Sequence, residues 1–220
     1  MVSRAKIISA LLDTNGRTFC DELGIDLTRQ TPSPLFRWLV ASTLLSARIN
    51  HGIALKASAA LSRAGWRTAK TMAQSTWEER TQALNRSGYA RYDESTSRML
   101  GDTAQKMLTA YGGDLRRLRE AAAHDAAEER RLLKEFKGIG DVGADIFFRE
   151  MQAVWDELYP FADSKALSAA EKLCLPANAH ALAKLVPRED FPRLLCALVR
   201  TALDKQYDAV RERASATARR

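Results

Sequence analysis

Apolar residues recur at intervals of three and four along most of the chain, the period of an amphipathic α-helix rather than of a strand. Phe36, Leu39, Val40, Thr43, Leu44 and Ala47 form one stripe, and Leu194, Leu195, Leu198, Val199 and Ala202 form another. A third runs through Leu132, Leu133 and Phe136, and Ile146, Phe147 and Met151 follow it. Val and Ile are sparse, while alanine, the best helix former, is frequent. Ser33-Pro34 reads as an N-cap followed by proline at the first helical position. Thr76-Trp77-Glu78-Glu79 fits a capping box. Gly65, Gly88, Gly112-Gly113 and Pro160 punctuate the elements. The expectation is an all-α protein with short connections and no internal repeat.

Several classes fall at once. A chain of 220 residues, 46% of them hydrophobic, can bury a core without disulfides or a structural metal. Runs such as Trp38-Leu39-Val40-Ala41 fall far short of the roughly 20 residues of a membrane span. The run from Ile7 to Leu12 breaks at Asp13, too soon for a signal-peptide core. Cys20, Cys174 and Cys196 are scattered and read as small buried apolar side chains of a reduced, intracellular protein. His51, His124 and His180 have no metal-ligand spacing and read as surface or capping residues. The net charge of +7 points to a polyanionic partner. Arg211, Arg213, Arg219 and Arg220 read as a solvated, fraying tail.

One segment is distinctive: Leu132-Leu133-Lys134-Glu135-Phe136-Lys137-Gly138-Ile139-Gly140-Asp141-Val142-Gly143-Ala144. An apolar helix runs into Gly-Ile-Gly, and a second apolar helix begins at once. Two glycines around one aliphatic residue allow a tight turn and close approach to another group. The free amides opening the second helix suit an anion such as a phosphate. A plain helical hairpin, with glycines serving only close packing, is the alternative.

This segment resembles the hairpin of helix-hairpin-helix DNA glycosylases, the endonuclease III-like superfamily. Leu44-Leu45-Ser46-Ala47-Arg48 resembles the family's Leu-Leu-Ser-Ala-Gln stretch. Ala162-Asp163-Ser164 resembles its Val-Asp-Thr stretch, which carries the catalytic aspartate. Ser87-Gly88-Tyr89 through Asp93-Glu94-Ser95 resembles its glycine-plus-aromatic turn. The resemblance covers roughly residues 33 to 200, with the motifs in the family's order. It implies a two-lobed fold with a DNA cleft between the lobes. One lobe would span 33–158 and contain the hairpin at 132–151. The other would combine 1–32 with 159–220.

The departures are informative. Val142 stands where bifunctional members carry a lysine whose amine forms a Schiff base with the sugar. Arg48 replaces the glutamine, Lys137 the proline before the turn, and Lys165 the histidine after the aspartate. Nothing after Cys196 can supply the family's four-cysteine iron–sulfur loop. The resemblance therefore implies a monofunctional glycosylase without cluster or lyase activity, acting on double-stranded DNA with a damaged base. Asp163 would stabilise positive charge on the sugar and orient water. Its alternative role is a helix N-cap. Lys137, Gly138, Ile139, Gly140, Val142 and Gly143 would hold a phosphate, with Ser46 and Arg48 facing DNA. The carbonyls of Lys134, Phe136 and Ile139 would coordinate a Na+ or K+. Trp38, Trp66, Tyr89, Tyr92 and Trp155 are candidates to stack a flipped base, and an aromatic pocket suits an alkylated purine first. A monomer in the cytoplasm, associated with the nucleoid in a prokaryote, is expected. The second expectation is a DNA-structure or damage-binding protein of the same fold without chemistry.

Overall fold

The computed structural model describes residues 3–216, and every regular element among them is helical. The α-helices are α1 (Arg4–Asn15), α2 (Phe19–Glu22), α3 (Pro32–Ser46), α4 (His51–Arg63), α5 (Ala69–Gln74), α6 (Trp77–Arg86) and α7 (Asp93–Tyr111), followed by α8 (Leu115–Ala121), α9 (Ala126–Leu133), α10 (Asp141–Met151), α11 (Ser164–Lys172), α12 (Ala179–Ala183), α13 (Phe191–Leu203) and α14 (Tyr207–Ala216). No helix among the described residues is long and apolar enough to cross a membrane.

The chain divides into two compact units, Leu23–Phe147 and the pair Met1–Glu22 with Phe148–Arg220. The division falls near residues 22 and 147, about ten residues before each expected boundary. It cuts α10, whose first two turns belong with the hairpin.

In the unit of residues 23–147, α3 packs on α4 and α8, and α7 packs on α5, α6 and α8. Leu35, Trp38, Leu39, Ala41 and Leu44 of α3 are completely buried, as their spacing demands. The expected capping box is present: Thr76 Oγ1 accepts from Glu79 N at 3.1 Å, and Glu79 Oε2 accepts from Thr76 N at 2.8 Å. The start of α3 needs correction. It lies at Thr31-Pro32, not Ser33-Pro34, and Ser33 Oγ instead donates to Arg67 O at 3.0 Å. Both prolines fit the first turn, where no N–H is needed, so local chemistry does not choose between them.

One buried cation organises this unit. Arg80 of α6 donates to the carbonyls of Ser97 (3.0 Å), Ser75 (2.6 Å) and Met72 (3.3 Å). It thus closes the carbonyl end of α5 and ties it to α7. A Cβ on Gly101 of α7 would lie 2.7 Å from an Arg80 guanidinium nitrogen, so α7 carries glycine there.

In the other unit α13 is central, packing on α1, α11 and α14. It is apolar nearly all round, and Leu194, Leu195, Cys196, Ala197 and Leu198 are fully buried. Glu150 of α10 is buried with them. Its carboxylate accepts from Phe19 N (3.0 Å), Cys20 N (2.9 Å) and the Cys196 thiol (3.3 Å). Burial, then the Glu150 charge, push both thiols well above their ordinary pKa. Cys20 and Cys196 are the expected buried residues, but Cys174 is exposed. Cys174 sits just beyond α11 with φ +58°, so its side chain follows a turn outward rather than a core-facing stripe. Arg211 and Arg213 are not a tail either. They lie in α14, where Arg211 donates to Lys172 O at 2.6 Å and pairs with Asp208 at 2.8 Å. Arg219 and Arg220 lie outside the described residues.

Candidate functional site

The hairpin is built by short-range bonds. After α9, Phe136 N donates to Leu133 O at 3.1 Å and Ile139 N to Phe136 O at 3.0 Å, and α10 starts at Asp141. Phe136 and Ile139 are buried and pin the turn, while Lys137, Gly138 and Gly140 face outward. Gly138 has φ +89°, and a Cβ there would lie 2.9 Å from Met99 Sδ and 3.0 Å from Thr43 Cγ2. Only glycine fits such a position without strain. Gly140 differs: its φ is ordinary and nothing lies within 4 Å of where a Cβ would be. Gly143 is buried, with its absent Cβ 3.3 Å from Ile139 Cδ1 and 3.7 Å from Ser46 Cβ. The glycines thus have distinct tasks: turning at 138, openness at 140 and packing at 143.

The start of α10 is open and mixed in character. Val142 is 59% exposed, the only large hydrophobic side chain exposed among the described residues. Asp141 pairs with Lys134 at 2.7 Å, and that hydrogen bond holds its carboxyl below the ordinary range. Lys137 pairs with Asp102 at 2.7 Å across an exposed surface. Exposed pairs of this kind are worth little and exchange readily for another anion. Of the three carbonyls implied for a monovalent cation, that of Phe136 already accepts the Ile139 N–H; neutral carbonyl oxygens fit an alkali ion.

Several expected site residues meet at one cavity of about 330 Å³. Ser46, Arg48, Tyr89, Tyr92, Met99 and Gly138 all line it. Arg48 is exposed, and the Ser46 hydroxyl donates to Thr43 O at 2.8 Å. Tyr89 is almost fully buried, its hydroxyl donating to Leu44 O at 3.4 Å, and burial pushes its pKa up. Tyr92 is half-buried, and the Arg91 guanidinium lies 5.2 Å from its ring centre.

Two aromatic candidates do not belong here. Trp38 is 0% exposed, and its indole N–H donates to Phe147 O at 3.0 Å. Trp155 is likewise 0% exposed. Both are core residues, as they stand out of reach of a base. Helical spacing marks an apolar face without telling a core ring from a pocket wall. Trp66 is half-buried and is not among the residues lining the cavity.

Asp163 lies in the unit of residues 148–220. Its Oδ1 accepts from Lys165 N and Ala166 N, both at 3.1 Å, making it the N-cap of α11. Its Oδ2 accepts from Arg149 Nε at 2.7 Å, and the two side chains are 3% and 5% exposed. Burial pulls the Arg149 pKa down, but the Asp163 charge and hydrogen bond outweigh it and leave it raised. Three of about four carboxylate lone-pair positions are therefore occupied. Gln152, also buried, donates to Phe161 O at 2.9 Å and accepts from Phe161 N at 3.1 Å, fixing the strap that leads to Asp163. Arg149 is the residue that sequence reasoning missed. Its signal was present: a charged pair, Arg149-Glu150, directly after the apolar run Ile146-Phe147-Phe148 and before Met151.

No protein-family model matches this chain, and no curated protein matches it.

Proposed function

We propose that this protein binds double-stranded DNA through the 136–143 hairpin and removes a damaged base by hydrolysis, as a monofunctional glycosylase of the helix-hairpin-helix type. The observation that carries the reading is the tight glycine turn, opening directly into the exposed start of α10 beside a cavity that takes Ser46, Arg48 and Gly138. Amides at the start of α10 suit a DNA phosphate. The open space over Gly140 permits the backbone approach such a contact needs. Val142 offers no amine at the Schiff-base position, which argues for hydrolysis without strand cleavage.

In this reading water adds to the sugar carbon as its bond to the base nitrogen breaks, and the departing base takes a proton. The growing positive charge would be met by the one open Oδ2 position of Asp163, which requires this 3%-exposed side chain to be uncovered when DNA binds. Arg48, exposed at the cavity rim, would fill the space left by the flipped base. An alkylated purine is less favoured than the sequence suggested. Trp38 and Trp155 are core, Tyr89 is almost fully buried, and the Arg91 guanidinium lies 5.2 Å from the Tyr92 ring centre, where a cationic base would stack.

A second reading, DNA binding without base removal, is favoured by the Arg149–Asp163 pair. A carboxylate already paired with a buried guanidinium has less charge to offer a sugar cation.

The test is unbiased. Alkylated, deaminated and oxidised DNA is incubated with wild type and with Asp163→Asn, and released bases are identified by mass spectrometry. Release by wild type alone is expected, with no borohydride-trapped adduct on abasic DNA. Equal release by Asp163→Asn would remove Asp163 from the chemistry. No release beside tight DNA binding would establish the second reading.

A further inference from the structure

Between Asp26 and Glu78 the chain has no acidic residue at all. This stretch of 51 residues carries seven Lys and Arg, equal to the net charge of +7 of the whole chain. The remaining 27 basic residues balance the 27 acidic ones. The excess positive charge of the protein is therefore confined to the segment that contains α3, α4 and α5.

Three of the seven are engaged locally. Arg37 donates to Leu23 O (2.7 Å) and Gly24 O (2.9 Å), Arg67 donates to Ser62 O (2.9 Å), and Arg29 pairs with Asp26. Lys56 and Arg63 of α4 are different. They are exposed, seven residues apart on one helix face, and neither pairs with a carboxylate among the described residues. Arg86, at the end of α6, is exposed and likewise without a carboxylate partner.

These three cations rim a single groove of about 580 Å³ between α4 and the end of α6, floored by Ala60, Ala83 and Gly88. No acidic side chain lines it. A floor of small residues lets a chain of phosphates come close, and the rim meets it with charge on both sides. The groove adjoins the cavity beside the hairpin: Gly88 lines the groove, and the next residue, Tyr89, lines the cavity with Arg48 and Gly138.

We infer that the α4–α6 groove is a second DNA contact, in which Lys56, Arg63 and Arg86 hold the phosphodiester backbone beyond the segment held by the hairpin. This inference rests on the DNA-binding reading above. It assigns the groove to the backbone of duplex DNA because the lining carries three cationic side chains and no acidic one.

Each phosphate neutralised contributes about 0.9 to the slope of log affinity against log salt. Removing three contacts lowers that slope by about 2.7, so raising salt from about 50 to about 200 mM weakens wild type about 40-fold more than the variant. The experiment measures binding of a fluorescent duplex across that salt range. It uses wild type, the triple variant Lys56→Ala/Arg63→Ala/Arg86→Ala, and Val142→Asp at the hairpin. Unfolding midpoints verify that all three are folded. The expected result is weaker binding by both variants, with a reduced slope in the triple variant. Wild-type binding that Val142→Asp impairs, with affinity and slope unchanged in the triple variant, overturns the groove and leaves the hairpin reading intact. Absence of duplex binding by folded wild type overturns the DNA reading itself, and the groove's assignment with it.

Discussion

Arg149 Nε donates to Asp163 Oδ2 at 2.7 Å, joining the last turn of α10 to the N-cap of α11 with both charges out of water. The pair fixes the strap from Met151 to Ser164 at both ends. It also sets the electrostatics of the carboxylate proposed for the chemistry.

Breaking this pair from one side strands a buried charge. Arg149→Met and Asp163→Asn should each destabilise the fold by about 3–5 kcal/mol, although asparagine remains a good N-cap. The double variant should lose clearly less than the sum, because neither charge is then left alone. Urea unfolding of the four proteins measures this. Additive losses would mean that the ion pair contributes nothing beyond two independent side chains.

The two hairpin glycines should respond oppositely to alanine. Gly138→Ala places a Cβ at φ +89° against Met99 and Thr43 and should destabilise by about 1–3 kcal/mol. Gly140→Ala meets open space and an ordinary φ, so stability should change by less than about 0.5 kcal/mol. Its duplex affinity should nevertheless fall, because a methyl then stands where a phosphate approaches. Thermal melts and binding on the same samples separate the two effects. Full affinity in Gly140→Ala would place the phosphate elsewhere.

The thiols give a pH test. Burial and the Glu150 charge raise Cys20 and Cys196 well above ordinary thiol values, so both stay protonated in the folded state. A native thiol count at pH 8 should find one fast residue, Cys174, and three after unfolding. The folded state holds these protons more tightly than the unfolded chain. Their contribution to stability is full below the unfolded thiol pKa of about 8.5 and is lost as pH rises above it. Denaturant midpoints should therefore fall between about pH 8 and pH 10, and less so in Cys20→Ala. Rapid native labelling of all three thiols would contradict this.

Arg80→Met should be among the more damaging single changes in the unit of residues 23–147. It leaves the Ser75 carbonyl without its donor, at about 1–3 kcal/mol if water cannot reach it. It also takes one of several donors from the carbonyls of Met72, which keeps Ser75 N and Oγ, and Ser97, which keeps its helix bond. Hydrogen exchange should quicken first in α5 and at the start of α7. A loss under about 1 kcal/mol would show that water replaces the guanidinium.

Features governed by neighbouring residues were legible in the sequence. The Thr76 capping box, the Gly138 turn and the buried stripes of α3 and α13 depend on spacing within a turn or two, and they stand where the spacing put them. The Ser33 start was off by two residues because two prolines satisfied the same rule. Cys174 was misread because a left-handed backbone at the end of α11 turns its side chain outward, and the α14 arginines because that segment is held as a helix by groups far away in the chain, such as the Lys172 carbonyl.

Composition and periodicity determined that this chain is helical and where it turns, since those choices are made by local backbone sterics and by which face of each helix is apolar. Only the tertiary structure decided which aromatic rings are core. It decided that Arg149 meets Asp163, that Arg80 ends α5, and that Lys56, Arg63 and Arg86 share one groove. Each depends on residues apart in sequence brought within a few ångströms, and burial, not residue type, sets the strength of the resulting charge interactions.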